Sequence, residues 1–441
     1  MSHEIIPTDV LHHLRDIGDP DVEDVLSAED AAELLAGVRS GHGLLTKHTE
    51  ISKKAFAAVP ATDLDDRDTA RLMHAQGLFA TYGTEISGAL LLAALPQSYA
   101  AQWASRVLVA SSRLQEDFRR RILGTSQFLV VAMRGARNAD EVRKYWTPGE
   151  DPLGQSLMVP WKACLAVRLY HQAIRVDLAS RLESHEDDPG LAALLGQRND
   201  IPINQEDLLA TLLTFTVTVF EVLERYGISW TADDQEAYLF AWDLIGRHLG
   251  VGSESAITAL FEGFREKIDL DGWHGFRPPT IVETRRLLDQ LRERQWSALD
   301  ATTPIIGGEE DSEWEGARSG RVLVRALLNE LTAAMPARMQ GTPLSVMRAL
   351  APAIVRQRLS LGGGGIVLSL LDLLPKHQAI VDRFTSQPLA NPVGGGILRM
   401  MANQVTTHVI VHFIRAGGLR LPSLEEWSDG LPSSMDRRLV P

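Results

Sequence analysis

Apolar residues recur at steps of three and four along most of this chain, a spacing that only α-helices convert into continuous buried faces. The pattern holds over Asp30–Val38, Asp65–Ala80, Ile86–Leu95, Tyr99–Leu114, Gln115–Arg134 and Val159–Leu182. It resumes over Gln205–Arg225, Asp233–Leu249, Ser253–Glu266, Thr280–Leu291, Ser319–Ala334 and Pro343–Leu361. Ala, Leu, Arg, Glu and Gln fill the positions between, and all are good helix formers. Alternation with β-branched residues is confined to His408–Ile414, which reads either way. The expected fold is all-α, a single large helical bundle. A core over residues 66–300 would carry a helical extension at 1–65 and another, packed on it, at 301–441.

Cap chemistry supports several of these boundaries. Asn204 with Asp207 resembles a capping box opening the 205–225 helix, and Thr231 precedes the acids Asp233 and Asp234. Gly227 and Gly250 sit where helices should stop. The polar stretches Arg134–Gln155, Ser184–Ile203 and Ala301–Glu315 read as surface loops or insertions. The tracts Gly362–Gly365 and Gly394–Gly396 lack a following Lys-Ser/Thr and read as flexible connectors, not phosphate cradles.

Charge and cysteine content narrow the function classes. With 44 Lys+Arg against 57 Asp+Glu, a net charge of −13 argues against a dedicated nucleic-acid binder. The single cysteine, Cys164, makes neither an internal disulfide nor a cysteine-based zinc site. The first residues are mixed and acidic, with no basic-then-apolar leader. The longest apolar runs, Ala89–Leu95 and Leu208–Phe220, are too short to span a bilayer. A soluble, cytoplasmic protein without a transmembrane segment is the expectation.

Nucleophile-elbow, zincin, Walker A and Rossmann motifs are all missing. What remains is histidine and arginine inside apolar helices. In Trp161–Arg175, the residues Cys164, Val167, His171, Ile174 and Leu178 share one helical face, placing an imidazole amid core-forming side chains. A metal on one ring nitrogen and an acceptor on the other would satisfy it. Arg168 and Arg175, seven apart, flank that face and could hold two carboxylates of a ligand. Spacing alone fits a satisfied core histidine with two solvated arginines better. Earlier, Arg121 and Thr125 lie one turn apart beside Gly124, which either leaves space for a ligand or permits a close helix crossing. His248 could line a pocket or pack. His408 and His412, four apart, could chelate a metal but lack an acidic third ligand.

Taken in order, these segments resemble one family. They include Ser98-Tyr99-Ala100, Ser112-Arg113-Leu114, Arg121 with Thr125, and Val167-Arg168-Leu169-Tyr170-His171-Gln172-Ala173-Ile174-Arg175. Pro202 through Leu208, Thr211 through Phe215 and Trp242 through Gly250 continue the pattern. The pattern resembles the rubber-oxygenase (latex-clearing protein) catalytic domain, shared with the oxygenase of mycophenolic-acid biosynthesis, over roughly Ala70–Val251. The resemblance implies a globin-like helical domain carrying non-covalent haem b, with His171 as the iron ligand. It further implies Arg121 and Thr125 on the oxygen side, Arg168 and Arg175 near the propionates, and His248 in the pocket wall. Two departures stand out: Gly124 occupies the position of the family's distal lysine, and Ser105 and Arg106 fall where its glutamate is expected. The implied activity is that of a haem-dependent oxygenase taking O₂ and a small lipophilic, isoprenoid or alkene substrate. The alternative is a haem-binding protein or sensor of the same fold that has lost oxygenase activity.

Overall fold

The structure, a computed structural model, describes residues 4–39, 54–60, 62–111, 114–148, 159–184, 200–264, 268–296, 312–361 and 392–415. Sequence features at 112–113, 185–199, 307–311 and 362–365 therefore lie outside the described residues. Those that are described form helices and no strand, apart from one isolated bridge between His274 and Arg277.

Sixteen α-helices follow in chain order among the described residues. They are α1 (Thr8–Leu14), α2 (Ala28–Arg39), α3 (Asp66–Ala89), α4 (Leu95–Ala100), α5 (Gln102–Ala110), α6 (Leu114–Ala132), α7 (Ala139–Trp146) and α8 (Pro160–Ser184). Then come α9 (Gln205–Arg225), α10 (Ala232–His248), α11 (Glu254–Phe264), α12 (Ile281–Trp296), α13 (Ser312–Ala333), α14 (Thr342–Leu350), α15 (Ala353–Arg358) and α16 (Pro392–Arg415).

The caps behave as their chemistry dictates. Thr231 and Asp234 form a reciprocal capping box on α10. The Asn204 side chain accepts the Asp207 amide, while its own amide nitrogen reaches the Asp207 carboxylate at 3.1 Å instead of leaving the acid to reach back to the backbone. Gly250 ends α10 with φ +80°, and a Cβ there would stand 2.5 Å from Asp19 Oδ2. Only glycine suits both the left-handed backbone and that approach.

Three expectations need correction, and the stretch that reads either way resolves. Arg134–Gln155 is not wholly loop, since Asn138 caps α7 and Val142, Tyr145 and Trp146 are buried. Gly394–Gly396 lies inside α16, where the missing Cβ of Gly395 lets the helix approach the Arg225 carbonyl; a Cβ would come within 2.8 Å. His408–Ile414 is helical too, its β-branched residues overridden by packing. Finally, 66–100 runs as nearly continuous helix through a π-turn at Leu90–Ala94, widened where Pro96 offers no amide hydrogen. By length and composition alone that one run could cross a membrane, yet over half of its most apolar window is buried inside the protein.

Packing sorts the helices around two apolar clusters. The main core draws on α1, α3 through α7 and α9 through α16, with the nearly encircled α9 at its centre. Threonines are tolerated on α9 because their hydroxyls bond back to their own helix: Thr211 to the Asp207 carbonyl at 2.8 Å, Thr214 to Ala210 at 2.7 Å. The second cluster joins Val22, Leu26, Leu34 and Ala55 to the Trp161, Leu165, Leu169 and Leu178 side of α8. Helix α8 thus lies between two cores, contacting α2 on one side and α6, α7 and α10 on the others.

Candidate functional site

Between those cores, Ala163, Ala166 and Val167 on α8 are only half-buried and belong to neither cluster. His171 continues the same strip, also half-buried. Its Nδ1 is buried with no hydrogen-bond partner among the described residues. No acceptor among the described residues stands at that nitrogen. Burial, reinforced by the charges of Arg175 and Arg121, lowers its pKa to about 3. At neutral pH the ring is a free base, the form in which imidazole binds metals. The helical face expected from spacing divides in space: Cys164 goes to the main core, Ile174 and Leu178 to the second cluster.

Helix α6 packs on α8 and brings Arg121 near the imidazole. One guanidinium nitrogen of Arg121 donates to the Leu108 carbonyl at 3.0 Å, closing the last turn of α5. Arg181 of α8 does the same at Ala110, 3.1 Å. Thr125 is half-buried one turn along. Gly124 is exposed, and a Cβ there would meet nothing within 4 Å. This removes the close-crossing explanation and leaves open space beside Thr125.

The arginines flanking His171 are committed elsewhere. Arg168 is 1% exposed, and its fork holds Asp19 through Nε at 2.5 Å and Nη2 at 2.6 Å. Nη2 also reaches Asp21 at 2.5 Å, and Nη1 the Ala58 carbonyl at 2.6 Å. The carboxylates this arginine binds belong to the chain's own N-terminal segment. Arg175 donates to the Pro202 and Ile203 carbonyls and to Gln172 Oε1, at 3.1, 2.6 and 3.1 Å. Burial lowers its pKa to about 10, Arg168 adding to that and Asp19 and Glu23 opposing it. The spacing argument left both arginines free; the tertiary contacts do not.

His248 is a satisfied core histidine. Its Nδ1 donates to the Leu244 carbonyl at 2.9 Å, and Nε2 lies 3.4 Å from the Thr62 hydroxyl and 3.3 Å from the Trp146 carbonyl. Trp146 also packs edge-on against its ring. On α16, His408 is half-buried and bonds its own helix at Gln404; no group of three or more His, Cys, Asp or Glu suited to a metal occurs among the described residues.

A porphyrin iron can be tested against these side chains. A neutral imidazole with an unpartnered buried nitrogen and a half-buried apolar strip on the same helix suit it. The propionate assignments for Arg168 and Arg175 meet donors mostly engaged within the chain, four N–H groups of Arg168 and three of Arg175. Sequence reasoning missed the Asp19–Asp21 clamp, since nothing local links two acids in one segment to an arginine 149 residues away.

Fold and site together define a class: an all-helical protein with a neutral imidazole held on a half-buried apolar strip. The family model of the ER-bound oxygenase mpaB/B′ and rubber-oxygenase catalytic domain matches residues 71–365, about two thirds of the chain, and this protein belongs to that family. The structure of latex clearing protein LCP in its closed state covers 90% of this chain and 91% of that one, with a TM-score of 0.53 and 18% identity. At that identity the likeness shows the all-helical fold. No curated protein matches the sequence.

Proposed function

We propose that this oxygenase-family domain is haem b-dependent, that His171 is its iron ligand, and that its substrate is a small lipophilic molecule, isoprenoid or alkene. The observation that carries the reading is the unpartnered Nδ1 of His171 in a ring that stays neutral across physiological pH. A buried polar atom without a partner costs free energy unless something else satisfies it. When bound, haem would supply the oxygen chemistry. The chain's own contribution is positioning and exclusion. Ala163, Ala166 and Val167 offer an apolar wall that keeps water off a planar ligand. Arg121 and Thr125 on α6 contribute a cationic donor and a hydroxyl to the oxygen side, with Gly124 leaving room between ligand and helix.

The test is the visible spectrum of the purified full-length protein, as isolated and after dithionite. A Soret band that shifts on reduction, with one haem per chain, is expected, and His171→Ala should lose it. A wild-type protein that neither carries nor takes up haem overturns the reading. His171→Ala with an unchanged Soret band overturns the ligand assignment.

One observation favours the second reading, a haem protein without oxygenase activity. Ser105, where the family's glutamate is expected, is fully buried and bonds its hydroxyl to the Gln102 carbonyl, and Arg106 beside it is buried as well. No carboxylate stands there to take a proton. Oxygen consumption with isoprenoid substrates separates the readings, because only the oxygenase consumes it.

A further inference from the structure

A row of aromatic rings crosses the main core from α3 to α9. Tyr82 on α3 meets Trp230, in the link before α10, with ring centroids 5.9 Å apart. Trp230 meets Tyr238 at 5.2 Å, and Tyr238 meets Trp242, one turn further along α10, at 6.2 Å. Trp242 then meets Phe215 of α9 at 6.0 Å. Phe220 stands beside the row, 5.8 Å from Trp230 and 5.7 Å from Tyr238. Four consecutive members are tyrosine or tryptophan, the aromatic side chains that most readily give up an electron. The phenylalanines stand at the end and to one side.

Packing alone does not account for those four. A buried indole N–H or phenol O–H ordinarily finds a hydrogen-bond partner, and leaving one without costs free energy. Trp230 Nε1, the Tyr238 hydroxyl and Trp242 Nε1 are all buried with none. Phenylalanine at 238 would fill nearly the same space with no hydroxyl to satisfy. What phenylalanine lacks is an accessible one-electron oxidation, and that property sets these rings apart.

The two ends of the row differ in their surroundings. Trp242 is 2% exposed and lies on α10, which packs against α8. Of the four rings only Tyr82 is half-buried instead of buried. An oxidised phenol is a strong acid, so an oxidised tyrosine comes to rest where its proton can leave. At Tyr238 burial raises the phenol's pKa against the influence of the neighbouring Trp242 indole, and no acceptor bonds the hydroxyl. At Tyr82 water can take the proton, so oxidation runs outward.

We propose that Tyr82, Trp230, Tyr238 and Trp242 form a conduit that carries single oxidising equivalents from the interior beside α8 to the surface of α3. A one-electron oxidant of the kind O₂ chemistry generates takes an electron from Trp242 and is itself reduced. Trp242 is refilled from Trp230 across the Tyr238 ring, which acts as a bridge and not as a stop. Tyr82 then gives one electron to the Trp230 cation, and its phenolic O–H bond breaks with the proton passing to water. Both indoles end unchanged. The net loss is one electron and one proton from Tyr82, left as a neutral phenoxyl radical. The conduit serves an oxygenase-family protein by drawing stray oxidising equivalents out of the core, and it requires neither haem nor His171 as a ligand.

Flash photolysis of the full-length protein tests it, because ultraviolet light ejects an electron from tryptophan without any added oxidant. In wild type the indole-radical absorption should decay as phenoxyl absorption rises. A nitroso spin trap should leave its adduct on Tyr82, read by mass spectrometry of the peptides. Tyr82→Phe should lower the phenoxyl yield at least twofold, and Trp230→Phe should slow its rise at least tenfold. Tyr238→Phe, which keeps the ring, should leave both within twofold of wild type. No phenoxyl radical in wild type or an adduct that avoids Tyr82 would overturn the proposal. So would a yield unmoved by Tyr82→Phe or lost in Tyr238→Phe, or an unslowed rise in a folded Trp230→Phe. The wild-type adduct decides even where a variant fails to fold.

Discussion

His171, half-buried, and His248, buried, are both imidazoles that stay neutral, with pKa values lowered to about 3 and about 4, chiefly by burial. They differ in their partners. His248 spends Nδ1 on Leu244 and has oxygens of Thr62 and Trp146 at Nε2, so its environment is complete. His171 has a buried Nδ1 with no such partner and stands on a strip that neither core covers. The pKa values alone would have ranked the two alike; what separates a structural histidine from a candidate ligand is the unfilled valence.

The largest expected effect breaks that comparison outright. His171→Ala should weaken haem binding at least tenfold, while His248→Gln retains the Soret band of the wild type; titration with haemin, followed by absorbance, reads both. Loss of haem in both variants would place the two rings in one site.

Next in size is Arg168→Ala. Removing the guanidinium leaves Asp19 buried without its cation, a change worth about 3–5 kcal/mol. Urea unfolding should record that loss, and haem affinity of the folded fraction should stay within a few-fold of wild type. A large affinity loss with unchanged stability would return Arg168 to the ligand site.

The pH dependence of stability sharpens the contrast. Each folded pKa lies below the ordinary 6.5, so unfolding takes up a proton as pH falls. The stabilisation is complete above pH 6.5 and drains down to about pH 4 for His248 and about pH 3 for His171, at up to about 1.4 kcal/mol per unit for each ring. In ligand-free protein, unfolding between pH 7 and 5 should show this slope. His248→Gln should remove one ring's share and leave that of His171. An unaltered slope would mean that His248 is already protonated in the fold.

The smallest effect falls at Gly124. With no atom near a Cβ and an exposed helical position, Gly124→Ala should stabilise by roughly 0.5–1 kcal/mol in thermal or urea unfolding. Destabilisation would restore the close-crossing explanation.

The sequence made much of the architecture legible because periodicity and caps act locally. Asn204, Thr231, Gly227 and Gly250 mark boundaries that the structure keeps. It misjudged Gly394–Gly396 and the α7 region, because a glycine tract and a polar stretch look alike whether solvent or another helix faces them. At the site, the sequence put His171 in the middle of an apolar face without distinguishing a core residue from a ligand, and it offered Arg168 and Arg175 as free cations.

Local order is a property of neighbours in the chain, so helical class, helix ends and the imidazole's place on α8 were determined by the amino-acid sequence alone. Which polar atoms end up satisfied depends on groups distant along the chain: Asp19 and Asp21 on Arg168, the Pro202 and Ile203 carbonyls on Arg175, Thr62 and Trp146 at His248. Only the tertiary structure could decide that. Hydrogen bonds form between atoms brought within about 3 Å, and long-range packing sets which atoms those are.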